Sequence, residues 1–487
     1  MHPEPTIFYG PVISPESLTS YKALPNCLLS VGPSGTIDWL VEDVEEHALQ
    51  KTLAQKGCID VNVTVLPSGR FLLPGFIDTH THAPQLPNIG SGQQYELLDW
   101  LSNVTFPTEA KFSDLEFARR TYESVVRRIL DCGTTTCCYY GTLHLEATKA
   151  LADIVHISGQ RAFIGKCNMD RNCPEYYVEP SVEVSLRETR ELISHIRSQS
   201  SRGSPEQVSG SLSPDLVQPV LTPRFAVSCT PELLSSLGEL ASSDPSLLIQ
   251  THISENKAEI AFVKELFSEA PHYAGVYESF GLLRHNTILA HAVHLEDAEV
   301  ELIAERKTGI SHCPTSNFNL SSGVAPVGRF LDRGIKVGLG TDVSGGFSPS
   351  ILNTIQNASI ASKILAMQAG PQGSSPTGFA NRQLSVATLL YLATLGGAEV
   401  CGLEKVVGSF APGKSFDALI IDARNNCGNP GLWYPDHDIA GNSKPTLDGL
   451  LERFLFCGDD RNISRVYVQG RFIGAPGHPG RSLSFTI

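Results

Sequence analysis

Short apolar runs recur along the middle of the chain, and each is followed by a stretch whose apolar residues stand three to four positions apart. The first run, Phe76–His82 (FIDTHTH), comes directly after Pro74-Gly75, and further runs span Gly133–Gly141, Arg161–Met169, Val217–Phe225, Leu247–Glu255, Thr287–Leu295, Gly309–Asn317 and Lys336–Gly346. Runs of this length and apolarity read as strands buried on both faces. Between them, Ile260, Val263, Leu266 and Phe267, or Val300, Ile303 and Ala304, fall on one side of a helix. Eight such strand-and-helix units predict an α/β fold, a closed (β/α)8 barrel of the TIM type over residues 74–407. A doubly wound open sheet is the competing architecture. What separates the two is the placement of polar residues: His80, His82, Arg224, His252, Glu255, His291, His312 and Asp342 all stand at or near the carboxyl ends of predicted strands, the face on which barrel enzymes gather their chemistry.

The flanks have a different pattern. Ile59–Leu66, a turn at Pro67–Gly69, Asp417–Asp422 and Arg465–Gly470 carry strand signals, so residues 1–73 and 408–487 predict one small β-sandwich domain built from both chain ends. Ser198–Pro214, rich in Ser, Gly and Pro, reads as a surface insertion before the fourth strand, and Gln368–Thr377 as a loop.

Composition narrows the function classes. With 37 basic against 51 acidic residues in 487, the net charge is -14, which argues against nucleic acid or an anionic membrane as partner and favours a small-molecule substrate. Twelve cysteines without a C-x-x-C pair, mostly in apolar stretches, predict reduced core thiols. The amino-terminal segment has no basic region followed by an apolar one, no apolar run reaches the ~18 residues of a membrane span, and Phe485–Ile487 matches no targeting address, so a cytoplasmic location is expected.

The candidate chemistry is metal-assisted hydrolysis. On a strand, His80 and His82 point the same way and can present two imidazoles to one ion. A pair of surface histidines would look the same, but His252, His291 and Asp342 end other strands of the same barrel mouth. Imidazoles with one carboxylate suit Zn²⁺ in an open catalytic site, where the ion lowers the pKa of bound water from about 15.7 to about 7. Glu255, three residues after His252, reads as general acid and base, or else as a carboxylate complementing a helix N-terminus. The Arg224 guanidinium can pair with two adjacent acceptors of a ligand, or with a barrel-mouth carboxylate. Phe225 offers a stacking face or belongs to the core.

These residues carry a resemblance. The segment Pro74–His82, with His252, His291 and Asp342, resembles the amidohydrolase superfamily; His82–Gln85, Phe106–Glu109, Gly133–Thr136, Thr222–Phe225, His252–Glu255 and Gly340–Gly346 resemble the guanine deaminases within it, over about Leu73 to Gly397. The resemblance implies a barrel with a small β domain, one zinc per subunit, a homodimer, and hydrolysis of guanine to xanthine and ammonia. It implies His80, His82, His252 and Asp342 as zinc ligands, with Glu255, His291 and Asp342 acting on the attacking oxygen. It further implies Gln85, Arg224, Phe225 and His252 around the purine. Alternatives are another purine or triazine ring, a binuclear cyclic amidase using Lys166, and a scaffold role. His312 reads as packed or substrate-facing, and the H-x-E with P-C-x-x-C signature of cytidine-type deaminases is absent.

Overall fold

The computed structural model describes residues 5–59, 61–200, 215–370, 378–434 and 443–474. Eight parallel strands form the barrel: β1 (Phe76–His82), β2 (Thr134–Tyr140), β3 (Arg161–Gly165), β4 (Val217–Pro223), β5 (Leu248–Ile253), β6 (Thr287–His291), β7 (Gly309–His312) and β8 (Lys336–Leu339). Each pairs with the next in sequence order. The circle closes between β1 and the segment after β8, where Asp342 N donates to His80 O at 2.9 Å and His82 N to Val343 O at 3.1 Å. The open doubly wound sheet is thereby excluded.

Every strand is shorter than or equal to its apolar run. The Gly309–Asn317 expectation is corrected most: the strand stops at His312, and Pro314–Asn319 is a helix that begins on a proline, a residue whose missing N–H costs nothing in a first turn. The Lys336–Gly346 run likewise leaves the sheet after Leu339. Beyond the strand ends the chain stays buried, so apolarity continues where the ladder does not. Ser254, His291, Ala292 and Asp342 take positive φ values of 47°, 74°, 50° and 45° there, a conformation that turns each strand sharply at the barrel mouth.

The covering helices form for local reasons. In Leu115–Asp131, Asp114 caps the N-terminus by accepting from the backbone N–H of Glu116 and Phe117, while Ala118, Tyr122, Val125, Val126 and Ile129 face inward. The helix Lys257–Leu266 opens on a capping box between Asn256 and Glu259.

Both chain ends meet in one sheet, with Thr6–Ser17, Ser20–Val31, Ile37–Val41 and Arg70–Pro74 from the amino-terminal side joined to Ala418–Asp422, Ile463–Val468 and Arg471–Gly474 from the carboxy-terminal side. It wraps a core of its own in which Phe8 stacks on Phe416 at 5.0 Å and Tyr467 meets Phe8 edge-on, which makes this the small β-sandwich beside the barrel. Of the Ile59–Leu66 run, Val63–Val65 is strand. The Ser198–Pro214 and Gln368–Thr377 segments lie largely outside the described residues; Ser198, Gln199 and Ser200 are the last residues of the helix Val182–Ser200, and Gln368 and Ala369 end Ile351–Ala369. Among the described residues no helix is long and apolar enough to cross a membrane. The twelve cysteines are free thiols.

Candidate active site

The strand ends converge on a cavity of about 380 Å³ lined by His82, Gln85, Arg224, Phe225, His252, Glu255, His291 and Asp342, with Leu97, Trp100, Leu101 and Leu320 as its apolar walls. Side-chain donor atoms of His80, His82, His252 and Asp342 all lie within 4.8 Å of one another. His82 Nε2 and His252 Nε2 stand 3.1 Å apart, and Asp342 Oδ1 is 3.1 Å from His80 Nε2 and 3.4 Å from His82 Nε2. Although buried, His80 makes no hydrogen bond through either ring nitrogen. His252 is oriented by its other nitrogen, Nδ1, which lies 2.5 Å from Arg224 O and leaves Nε2 to the cluster.

Electrostatics agree with a ligand set. Burial pushes the imidazoles of His80, His82 and His252 below the ordinary histidine range and keeps their lone pairs free. Burial opposes the charge of Asp342, but the imidazoles of His80, His291 and His82 outweigh it and hold the carboxyl below its usual range. Neutral imidazoles around one carboxylate, with unpartnered buried nitrogens converging on one point, fit a divalent transition-metal ion. Asp78 braces the arrangement from behind by accepting from Thr341 N at 3.0 Å and from His80 N at 3.2 Å.

Next to this cluster, His291 Nε2 lies 3.4 Å from Glu255 Oε2 and 3.8 Å from Asp342 Oδ2, while His291 Nδ1 meets Asn317 Oδ1 at 2.9 Å. Glu255 is not the group that satisfies the following helix. Glu259 accepts from the backbone N–H of Glu255 and Asn256 at 2.9 and 3.2 Å, which leaves the Glu255 side chain on the cavity. Burial first, then the carboxylates of Asp342 and Glu259, raise the Glu255 carboxyl well above the usual range; Ser322 Oγ donates to it at 3.3 Å.

Arg224 lines the cavity and is also paired with a barrel-mouth carboxylate: Nη1 donates to Glu109 Oε2 at 2.6 Å and Nη2 to Oε1 at 3.1 Å. Burial alone would lower this guanidinium, and Glu109 beside it more than reverses that. Phe225 meets the His252 ring at 6.4 Å in a T-shaped contact. Glu109 stands in the Phe106–Glu109 motif with no part assigned from the sequence, where a carboxylate in an apolar context is the available signal. Asn317, Ser322, Ser344 and Trp100 carried no signal, since each joins the site through tertiary contact.

Two other candidates lie elsewhere. Lys166 forms a buried ion pair with Glu179 and is 3.8 Å from Glu188; it contributes nothing to the metal cluster, the one such group among the described residues. Burial lowers His312 to about 3, and it lines a second cavity with Val327, Ser362 and Leu384.

A barrel with a ligand cluster of this kind at its mouth defines a class of metal-assisted hydrolase. The model of the amidohydrolase family matches residues 71–473, and the chain belongs to that family. A guanine deaminase of Dictyostelium discoideum is 43% identical over 96% of this chain and 98% of its own length, and the guanine deaminase of Homo sapiens is 38% identical over 97% of each. A crystal structure of guanine deaminase from C. acetobutylicum with guanine bound in its active site superposes with a TM-score of 0.82 at 34% identity, covering 97% of this chain and all of that one.

Proposed function

We propose that this chain is a zinc-dependent guanine deaminase that hydrolyses guanine to xanthine and ammonia. The observation that carries the reading is the meeting, in one cavity, of four metal-ligand side chains with a proton-carrying pair and a wall of hydrogen-bond donors. His80, His82, His252 and Asp342 would hold one zinc per subunit, which when bound makes hydroxide available near neutral pH.

The remaining steps belong to the chain's own residues. Arg224 and Gln85 bind the ring through its acceptors, with O6 and N7 offered to the guanidinium. Phe225, Leu97, Trp100 and Leu101 enclose the purine and exclude bulk water. Glu255 takes one proton from the water that attacks C2 and delivers it to ring N3, then carries the second proton of that oxygen to the amine, so that C2=O forms as the C2–N bond breaks and ammonia departs. His291, oriented by Asn317, and Asp342 accept or donate hydrogen bonds at the attacking oxygen. The atoms balance as guanine plus water giving xanthine plus ammonia. A cytoplasmic homodimer is part of the same reading, supported by the free thiols and by the family.

Purified protein incubated with guanine is expected to release xanthine and ammonia in equal amounts, with about one zinc per chain in the same sample. Absence of ammonia would refute the activity, and absence of zinc the cofactor.

A further inference from the structure

Glu109 lies outside every step just described, yet it is wholly buried and receives four hydrogen bonds. Arg224 donates twice, at 2.6 and 3.1 Å, Gln85 Nε2 donates at 2.7 Å, and the Tyr177 hydroxyl donates at 2.7 Å. A carboxylate on a guanidinium can only accept, and a backbone N–H can only donate. Gln85 is therefore held at both ends: its Nε2 faces Glu109, and its Oε1 accepts from Ser344 N at 3.0 Å. The amide cannot turn over without placing an oxygen against the carboxylate and a donor against a donor.

Arg224 is fixed by the same oxygens and by the Phe106 ring, 5.3 Å from its guanidinium carbon. The pairing uses one hydrogen on each terminal nitrogen and leaves three N–H bonds without a partner among the described residues. Both residues line the cavity with N–H groups still unpartnered, while the one acceptor between them, Gln85 Oε1, is taken by Ser344 N and the guanidinium has none.

We infer that Glu109 is a positioning residue which makes this wall of the cavity donor-only and so selects a purine bearing a 6-carbonyl over one bearing a 6-amino group. The inference rests on the reading of the site as a guanine site. An amino group at C6 would set donors against donors, and a buried site built to hydrogen-bond one group rejects an analogue that leaves its donors unpaired. A glutamine at 109 brings two N–H bonds into a cluster of four donors, so that Gln85 or Arg224 must turn away and the wall loses its polarity.

The test compares guanine with 2,6-diaminopurine, which carries the same 2-amino group and differs at C6 and in lacking the hydrogen on N1, on zinc-loaded enzyme. In Glu109→Gln the preference for guanine in kcat/KM is expected to narrow by about tenfold or more, with KM for guanine raised more than kcat is lowered and zinc content unchanged. Tyr177→Phe removes one of the four donors and keeps the ion pair; it is expected to narrow the preference by about two- to fivefold. A purely structural role would lower the yield or the melting temperature and leave the preference of the folded enzyme as it was. Folded variants that keep the original preference overturn the inference, and if Glu109→Gln does not fold, an unchanged preference in Tyr177→Phe does so alone. Wild-type enzyme inert toward guanine would instead overturn the reading beneath it.

Discussion

Among the described residues the barrel takes part in two buried arginine–carboxylate pairs, one at each end, and they are used in opposite ways. At the amino end of β3, Arg161 donates to both oxygens of Asp417 at 3.0 and 3.3 Å, and Asp417 also accepts from Ser415 Oγ at 2.7 Å and from the backbone of Gln469 at 2.9 Å. That pair joins barrel to β domain at the end of the barrel plugged by Ile77, Cys138, Phe163, Val220, Leu248, Ile288 and Cys401. At the carboxyl end, Arg224 also pairs twice with its carboxylate, but through Nη1 and Nη2 rather than Nε and Nη2, and it lines a cavity next to imidazoles with unpartnered nitrogens and four residues at positive φ. At the amino end the pair locks barrel to β domain, although Arg161 Nη1 is itself buried without a hydrogen-bond partner among the described residues. The other end withholds satisfaction so that a ligand can supply it, a strained arrangement that the packed end can offset.

This contrast can be broken at several points. The largest effect is expected at the mouth: Glu255→Gln should lower kcat by about 10³-fold or more, the scale of a lost general acid and base, while zinc content and melting temperature stay close to wild type. Steady-state kinetics with metal analysis on the same preparation checks it, and a variant that turns over normally removes Glu255 from the mechanism. At the other end, Arg161→Ala leaves the Asp417 charge buried without its partner and should cost about 3–5 kcal/mol of stability. Thermal or denaturant unfolding reads that loss, while kcat/KM of the folded fraction should remain within about twofold, because additivity holds for distant sites. The smallest effect belongs to Ser322→Ala, which removes one 3.3 Å hydrogen bond to Glu255 and should lower kcat by about two- to fivefold with little change in KM. If the stability loss came from the mouth variants and the activity loss from Arg161→Ala, the division of labour between the two ends would be wrong.

Much of the architecture is legible without coordinates because each strand is a near-continuous apolar run and each covering helix a periodic one. The strand ends were overrun for a physical reason. At or just beyond the last ladder pair, His291, Ala292, Ser254 and Asp342 turn left-handed while remaining buried, so burial outlasts the strand. The end of the Gly309–Asn317 run differs for a related reason: Pro314, Thr315, Ser316 and Asn317 are buried like strand residues, but they open a helix that starts on proline. The dual reading of Arg224, ligand-facing or ion-paired, also had no resolution in one dimension. The two descriptions hold together in the structure, since a fork on Glu109 still leaves three N–H bonds free.

The order of residues by itself determined the eight alternating units and the histidines and aspartate that end them, because periodicity and residue type are local properties. It also determined that His80 and His82 share a face, since a strand repeats every two residues. Only the tertiary structure decided that Glu109, 115 positions from Arg224, sits against it, that Asn317 orients His291, and that Glu259 frees Glu255 for the cavity. These contacts join elements distant in sequence, and their geometry is set by closure of the barrel, which no single segment encodes.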